Sequence, residues 1–169
     1  YTLSLPDALP IAPELVPRWQ PRVVQEAWID DASAEDIAWL LDRLRQAGAM
    51  DVACQSLQMK KGRSGVAVTA LVSTEQAPQL RRIWFEAGPS IGLRERQQGR
   101  WLLPRRAGIL STSWGVLTAK QVRRPDGRCT VKPEADALQR LSQASGCSVA
   151  DLRAAAQAAS FESEEPWTW

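Results

Sequence analysis

Met50-Asp51-Val52-Ala53-Cys54-Gln55-Ser56-Leu57-Gln58-Met59-Lys60-Lys61-Gly62-Arg63-Ser64-Gly65-Val66-Ala67-Val68-Thr69-Ala70-Leu71-Val72 decides the fold. Met50, Val52 and Cys54 recur at the period of a half-buried strand, as do Val66, Val68, Ala70 and Val72. A short glycine-containing loop joins the two runs, so the pair reads as a β-hairpin. Leu57 and Met59 continue in the other phase, which predicts a bulge near Gln55-Ser56. Cys54, on an apolar strand, reads as a small core residue.

Upstream, Val23-Val24-Gln25-Glu26-Ala27-Trp28-Ile29 has the β-branched and aromatic content of a strand. Ser33 with Asp36 forms a capping box, and Ile37, Leu40, Leu41 and Leu44 make one helical face that ends at Gly48. Downstream, Ser73 or Thr74 opens a helix with Leu80, Ile83, Trp84 and Ala87 on one face, stopped by Gly88-Pro89. A strand follows at 91–96. The resulting order β-α-β-β-α-β is the ferredoxin-like plan, an α+β sandwich with both helices on one face of the sheet.

The rest reads as added β-hairpins and two helices. Gln97-Gln98-Gly99 is expected to be a turn between residues 91–96 and Trp101-Leu102-Leu103, giving a basic hairpin with Arg94, Arg96, Arg100, Arg105 and Arg106. Trp114 to Val122 and Cys129 to Val131 pair across the turn Pro125-Asp126-Gly127. Pro133 is expected to open a helix that stops at Gly146, and Ser148 with Asp151 caps another. Glu162, Glu164 and Glu165 predict an acidic, frayed tail bearing Trp167 and Trp169. The expected organisation is an extended Pro-rich linker over 1–22, its first eleven residues resembling a sequencing-adapter translation, then a domain over 23–160 and a tail over 161–169.

Composition narrows the chemistry. The chain has 169 residues, a net charge of +2 and 44% hydrophobic content, ordinary for a globular protein. Without histidine, neither His-based acid–base catalysis nor His-ligated metal sites are available to it. Three widely spaced cysteines without a C-x-x-C pair argue against disulfides and zinc, and fit a reducing cytoplasm. No apolar run approaches the length needed to cross a bilayer.

Two constellations remain. Lys60, Lys61 and Arg63, with Gly62 and Gly65 beside them, could cradle a di- or triphosphate. From residue type alone a solvated turn has the better claim. Glu26, Asp30 and Asp31 at the first strand's end suit Mg²⁺ or Mn²⁺, although helix capping by Asp31 and solvation of Glu26 explain them too. Glu86 at a helix end could touch a metal or a ribose. The Arg hairpin offers a nucleic-acid alternative, weakened by the lack of aromatics on the central strand. Nothing in the sequence assigns a catalytic residue.

Taken together, Glu26-Ala27-Trp28-Ile29-Asp30-Asp31, Gly48-Ala49-Met50-Asp51-Val52, Gln58 to Gly65, Phe85-Glu86 with Ile91-Gly92-Leu93-Arg94, and Lys132-Pro133-Glu134-Ala135-Asp136 resemble the C-terminal domain of the LarC family. These are the nickel-insertion proteins of lactate racemase maturation, and the resemblance spans about residues 23–160. It implies a CTP-dependent lyase acting with Mn²⁺ or Mg²⁺. Nickel is the substrate metal and pyridinium-3,5-bisthiocarboxylic acid mononucleotide the acceptor, giving the nickel-pincer nucleotide cofactor. It implies a homo-trimer or hexamer in the cytoplasm, with nucleic acid and membrane disfavoured as partners. By the same resemblance Lys60, Lys61, Arg63, Gly65 and Arg94 are nucleotide candidates, and Glu26, Asp30, Asp31 and Glu86 metal candidates. Trp28 stands where the family usually has Asn, Ser64 where it has Pro, and Ala87-Gly88-Pro89 replaces a Thr-rich run. The family's histidine-bearing N-terminal region is not in this sequence, so nickel insertion by this fragment alone is not expected. The rival expectations are a ligand-free trimerisation module and a nucleic-acid-binding ferredoxin-like domain.

Overall fold

The structure, a computed structural model, describes residues 16–169. The adapter-like start and most of the expected linker lie outside the described residues. The chain divides into two compact units, one over 19–100 and one formed by 101–169 with the described residues up to Arg18.

The first unit contains β1 (Arg18–Ile29), α1 (Ala34–Gln46), β2 (Asp51–Gln58), β3 (Ser64–Val72), α2 (Ala77–Ala87) and the start of β4 (Arg94–Leu102). Its sheet has the order β2-β3-β1-β4, as the ferredoxin-like reading requires. Val23, Ala27 and Ile29 of β1 and Val68, Ala70 and Val72 of β3 pack in one core with Ile37, Leu40 and Leu44 of α1 and Leu80 and Trp84 of α2. Alternation therefore puts Glu26 and Trp28 of β1 on the other face of the sheet. Ser33 caps α1 as expected, accepting from the Asp36 amide while the Asp36 carboxylate accepts from the Ser33 amide. At α2, the Ser73 hydroxyl accepts from Gln76 N at 3.2 Å, capping the turn before the helix rather than the helix itself.

Several expectations are corrected here. β1 begins at Arg18, not Val23. Its ladder with β3 runs from Val23 to Ile29, so Pro21 removes no donor from that ladder. β2 has no bulge, since Asp51↔Leu71 to Gln58↔Ser64 is an unbroken register. The phase slip misled because most of β2 is exposed, Cys54 included, and side-chain polarity there does not report burial. β4 runs straight through Gln97-Gln98-Gly99. Gly99 is a packing glycine: a Cβ there would lie 2.0 Å from Cζ2 of Trp19. The basic hairpin therefore does not form. Arg94 and Arg96 sit on β4, and Arg105 and Arg106 on β5 (Arg105–Thr112) of the other unit.

The second unit adds β6 (Gly115–Arg123), β7 (Cys129–Pro133), α3 (Ala135–Ser145), α4 (Val149–Ala158) and β8 (Phe161–Glu162), with sheet order β7-β6-β5-β8. Leu110 and Leu117, opposed across β5 and β6, pack with Leu138 of α3 and Leu152 of α4 in a separate core. Gly127 N donates to Arg124 O at 2.9 Å, making the expected turn. Pro133 closes β7 rather than opening a helix, and Glu134 is the N-cap of α3. Gly146, at φ 72°, ends α3, and Ser148 caps α4 through the Asp151 amide. The acidic tail is not frayed. Phe161 and Glu162 pair with β5, and Arg105 and Thr168 exchange backbone hydrogen bonds at 2.8 Å. Arg106 lies over the Trp167 ring at 4.7 Å, and Trp169 Nε1 donates to Val16 O at 2.9 Å.

Candidate functional site

The β2–β3 connection is a single 3-10 turn, Lys60–Gly62, closed by Met59 N donating to Arg63 O at 2.8 Å. Lys61 (φ 62°) and Gly62 (φ 72°) are both left-handed, and among the described residues Lys61 is the one non-glycine with positive φ. A side chain in that conformation is strained and has to be held by its surroundings. Lys60, Lys61 and Arg63 all project into solvent from this turn. No ion pair among the described residues includes Lys60 or Lys61.

Arg63 is different. Its Nη1 donates to Asp30 Oδ2 at 3.4 Å, tying the basic turn to the acidic end of β1. Gly65 also has a packing role. A Cβ there would meet Met59 Sδ at 2.6 Å and Ile29 O at 2.8 Å, so the glycine lets the turn fold back onto β1. Next along, the Arg94 guanidinium lies 3.9 Å from the centroid of the Trp28 ring, a cation–π arrangement.

The metal candidates are spread out. Glu26 accepts from Thr69 Oγ1 at 3.3 Å on the face away from the helices. Asp31 is exposed beyond β1. Glu86, on α2, is engaged by Arg82 one turn earlier. Among the described residues no three Asp, Glu or Cys side chains converge where an ion could be held. A Mg²⁺-sized ion at any one of these carboxylates would need further oxygen ligands, such as phosphates. Of the four metal candidates, Asp30 is the one paired with a cation of the turn, Arg63.

Below the turn, between the β2–β3 hairpin and the start of α1, lies a cleft of about 810 Å³. Ile29, Ala32, Ile37 and Val66 give it an apolar floor, and Asp30, Ser56, Gln58 and Ser64 give it polar edges. Sequence reasoning missed this cleft. The signal was present in the alternation, because Cys54, Ser56 and Gln58 face the same side as buried Val52. Placing a bulge at Gln55-Ser56 hid it. An apolar slot beside a cationic turn can hold a planar ring with an attached phosphate chain.

The family model of the nickel insertion protein matches residues 7–153. A relative from Synechococcus elongatus named for nickel insertion is 34% identical over 134 residues, 79% of this chain and 33% of that protein. A pyridinium-3,5-bisthiocarboxylic acid mononucleotide nickel insertion protein of Desulfitobacterium hafniense is 36% identical over 121 residues, 72% of this chain and 30% of its own length. The chain thus spans about a third of the curated relatives it matches. Among solved structures, it is similar to LarC2, the C-terminal domain of a cyclometallase involved in synthesis of the NPN cofactor of lactate racemase, in its apo form. That match has a TM-score of 0.79 at 25% identity and covers 84% of this chain and 98% of the other. A Methanopyrus kandleri protein shares the fold, with a TM-score of 0.65 at 19% identity, covering 86% of this chain and 90% of the other.

Proposed function

The chain belongs to the nickel insertion protein family, and from that premise we propose that it is the C-terminal part of a CTP-dependent cyclometallase. The whole protein would insert nickel, its substrate metal, into pyridinium-3,5-bisthiocarboxylic acid mononucleotide, making the nickel-pincer nucleotide cofactor of lactate racemase. This part binds CTP with Mn²⁺ or Mg²⁺ and assembles as a trimer or hexamer in the cytoplasm. No helix among the described residues is long and apolar enough to cross a membrane.

The observation that carries this reading is the left-handed turn that exposes Lys60, Lys61 and Arg63 and is tied, through the Arg63–Asp30 pair, to a cleft that Asp30 lines. Lys60 and Lys61 meet phosphate oxygens as point charges, and Arg63 offers a planar fork to two of them. Ile29, Ile37 and Val66 exclude water from one side of a ring seated in the cleft. Asp30 would hold the divalent ion, which would screen the phosphate charge when bound. Arg94, stacked on Trp28 on the sheet face away from the helices, would be a separate contact and not part of this cleft. The nucleic-acid alternative loses its basis with the basic hairpin, whose arginines lie on two separate units.

Titration calorimetry with CTP and Mn²⁺ tests the nucleotide part. Saturable heat is expected, and it should fall at least tenfold in affinity in Lys60→Ala/Lys61→Ala. An absence of heat, or an unchanged affinity in the double variant, overturns it. Light scattering tests the assembly. A monomer at micromolar concentration overturns that part alone.

A further inference from the structure

We propose that the Asp30–Arg63 ion pair makes nucleotide binding depend on the divalent ion. The inference rests on the nucleotide reading above and concerns the regulation of that same site.

Three observations lead to it. First, of the three cations on the turn, Arg63 alone is already paired, to Asp30 at 3.4 Å. Second, the pair is lopsided. The Asp30 side chain is 19% exposed and that of Arg63 is 56% exposed. The carboxylate is the sheltered member, standing directly after Ile29, which is 3% exposed in the core. The guanidinium is the exposed member, on a solvent-facing turn. Third, Asp30 also lines the cleft, so a ligand seated there meets the carboxylate itself.

A triphosphate without metal is therefore opposed in two ways. It approaches a negative charge, and it must compete with that charge for Arg63. A divalent ion on the phosphates reverses both effects. Asp30 turns from a repelling neighbour into a ligand, and Arg63 is released to donate to phosphate oxygens. The pair is partly exposed, so the coupling is modest, about two- to fivefold in affinity.

The test is calorimetry of CTP on this chain, once in EDTA and once with Mn²⁺, for the native chain, Asp30→Asn and Arg63→Gln. Unfolding curves run beside it confirm that both variants keep the native transition. Asp30→Asn is expected to bind metal-free CTP about two- to fivefold more tightly than the native chain and to lose most of the Mn²⁺ enhancement. Arg63→Gln is expected to bind less tightly with Mn²⁺ and to change little in EDTA, where Arg63 is already engaged. If the native chain binds CTP with Mn²⁺ while Asp30→Asn is unchanged or weaker in EDTA, the coupling is wrong and the nucleotide site stands. If the native chain binds CTP under neither condition, the nucleotide reading fails, and the coupling with it.

Discussion

The indole N–H of Trp84 donates to the side-chain oxygen of Gln25 at 3.1 Å, in the middle of an otherwise apolar layer. Gln25 is fully buried. Its Nε2 donates to Ala77 O and to Glu95 Oε2, each at 2.8 Å. One side chain thus joins β1, the start of α2, the middle of α2 and β4. Every hydrogen of the carboxamide has a partner, which is the condition under which a buried polar network specifies a register rather than weakening a core. Gln25→Leu keeps the volume but strands the Trp84 N–H. A loss of about 1–3 kcal/mol is expected in urea unfolding, typical of an unsatisfied buried group. A neutral result would show that the network adds nothing to the packing around it.

The network also makes stability depend on pH. The Arg81 guanidinium donates to both oxygens of Glu95, at 3.0 and 2.6 Å. That hydrogen bond, against the cost of partial burial and with help from Gln25, holds the Glu95 carboxyl below its ordinary value of 4.5. A carboxyl whose folded pKa is depressed favours folding at pH above its unfolded value and loses that contribution as pH falls through the folded one. The difference in melting temperature between the native chain and Glu95→Gln should therefore be constant above about pH 5.5 and narrow steadily below about pH 4.5. A difference that does not change with pH would mean the carboxylate charge is irrelevant.

What was legible in the sequence follows from physical cause. The cap at Ser33–Asp36, the stop at Gly146 and the central hairpin were readable because each is set by residues within a few positions of one another. The misreadings share another origin. Gly99 looked like a turn residue, yet it serves Trp19, eighty positions earlier in the chain. Gly108 gave no strand signal, yet it lies inside β5 so that Phe161 can rest on it. A glycine needed for a distant side chain is locally indistinguishable from one needed for a turn. The candidate site divides the same way. The cations were visible as a run, but the cleft and the partner of Arg63, thirty-three positions away, exist only once β1 and β3 are paired.

Gly108 offers a direct check on the second unit. A Cβ there would lie 2.3 Å from Phe161 Cζ and 2.4 Å from Glu162 O. Gly108→Ala should push β8 off β5 and destabilise the unit by about 1–3 kcal/mol, as overpacking does. Pairing it with Phe161→Ala removes the ring but not the backbone oxygen, so rescue should be partial. Full rescue in thermal unfolding would mean that only the ring mattered, and no loss in Gly108→Ala would mean β8 adjusts freely.

Lys61 separates stability from function most sharply. Its φ of 62° is ordinary for glycine and strained for lysine. If the turn existed only to connect two strands, glycine would serve it as well or better. Lys61→Gly should leave stability unchanged or raise it by up to about 1 kcal/mol, because the relief of strain and the added freedom of the unfolded chain nearly cancel. The same substitution removes one of the two turn cations that have no ion-pair partner among the described residues, and on the proposed nucleotide reading should weaken CTP binding with Mn²⁺ several-fold. Lys61→Arg, which keeps both the strain and the charge, should retain most of the affinity. Paired urea unfolding and calorimetry on these two variants decide the matter. A Lys61→Gly chain that is destabilised by more than 1 kcal/mol, or that binds as tightly as the native one, would show that the lysine is there for the turn and not for a ligand.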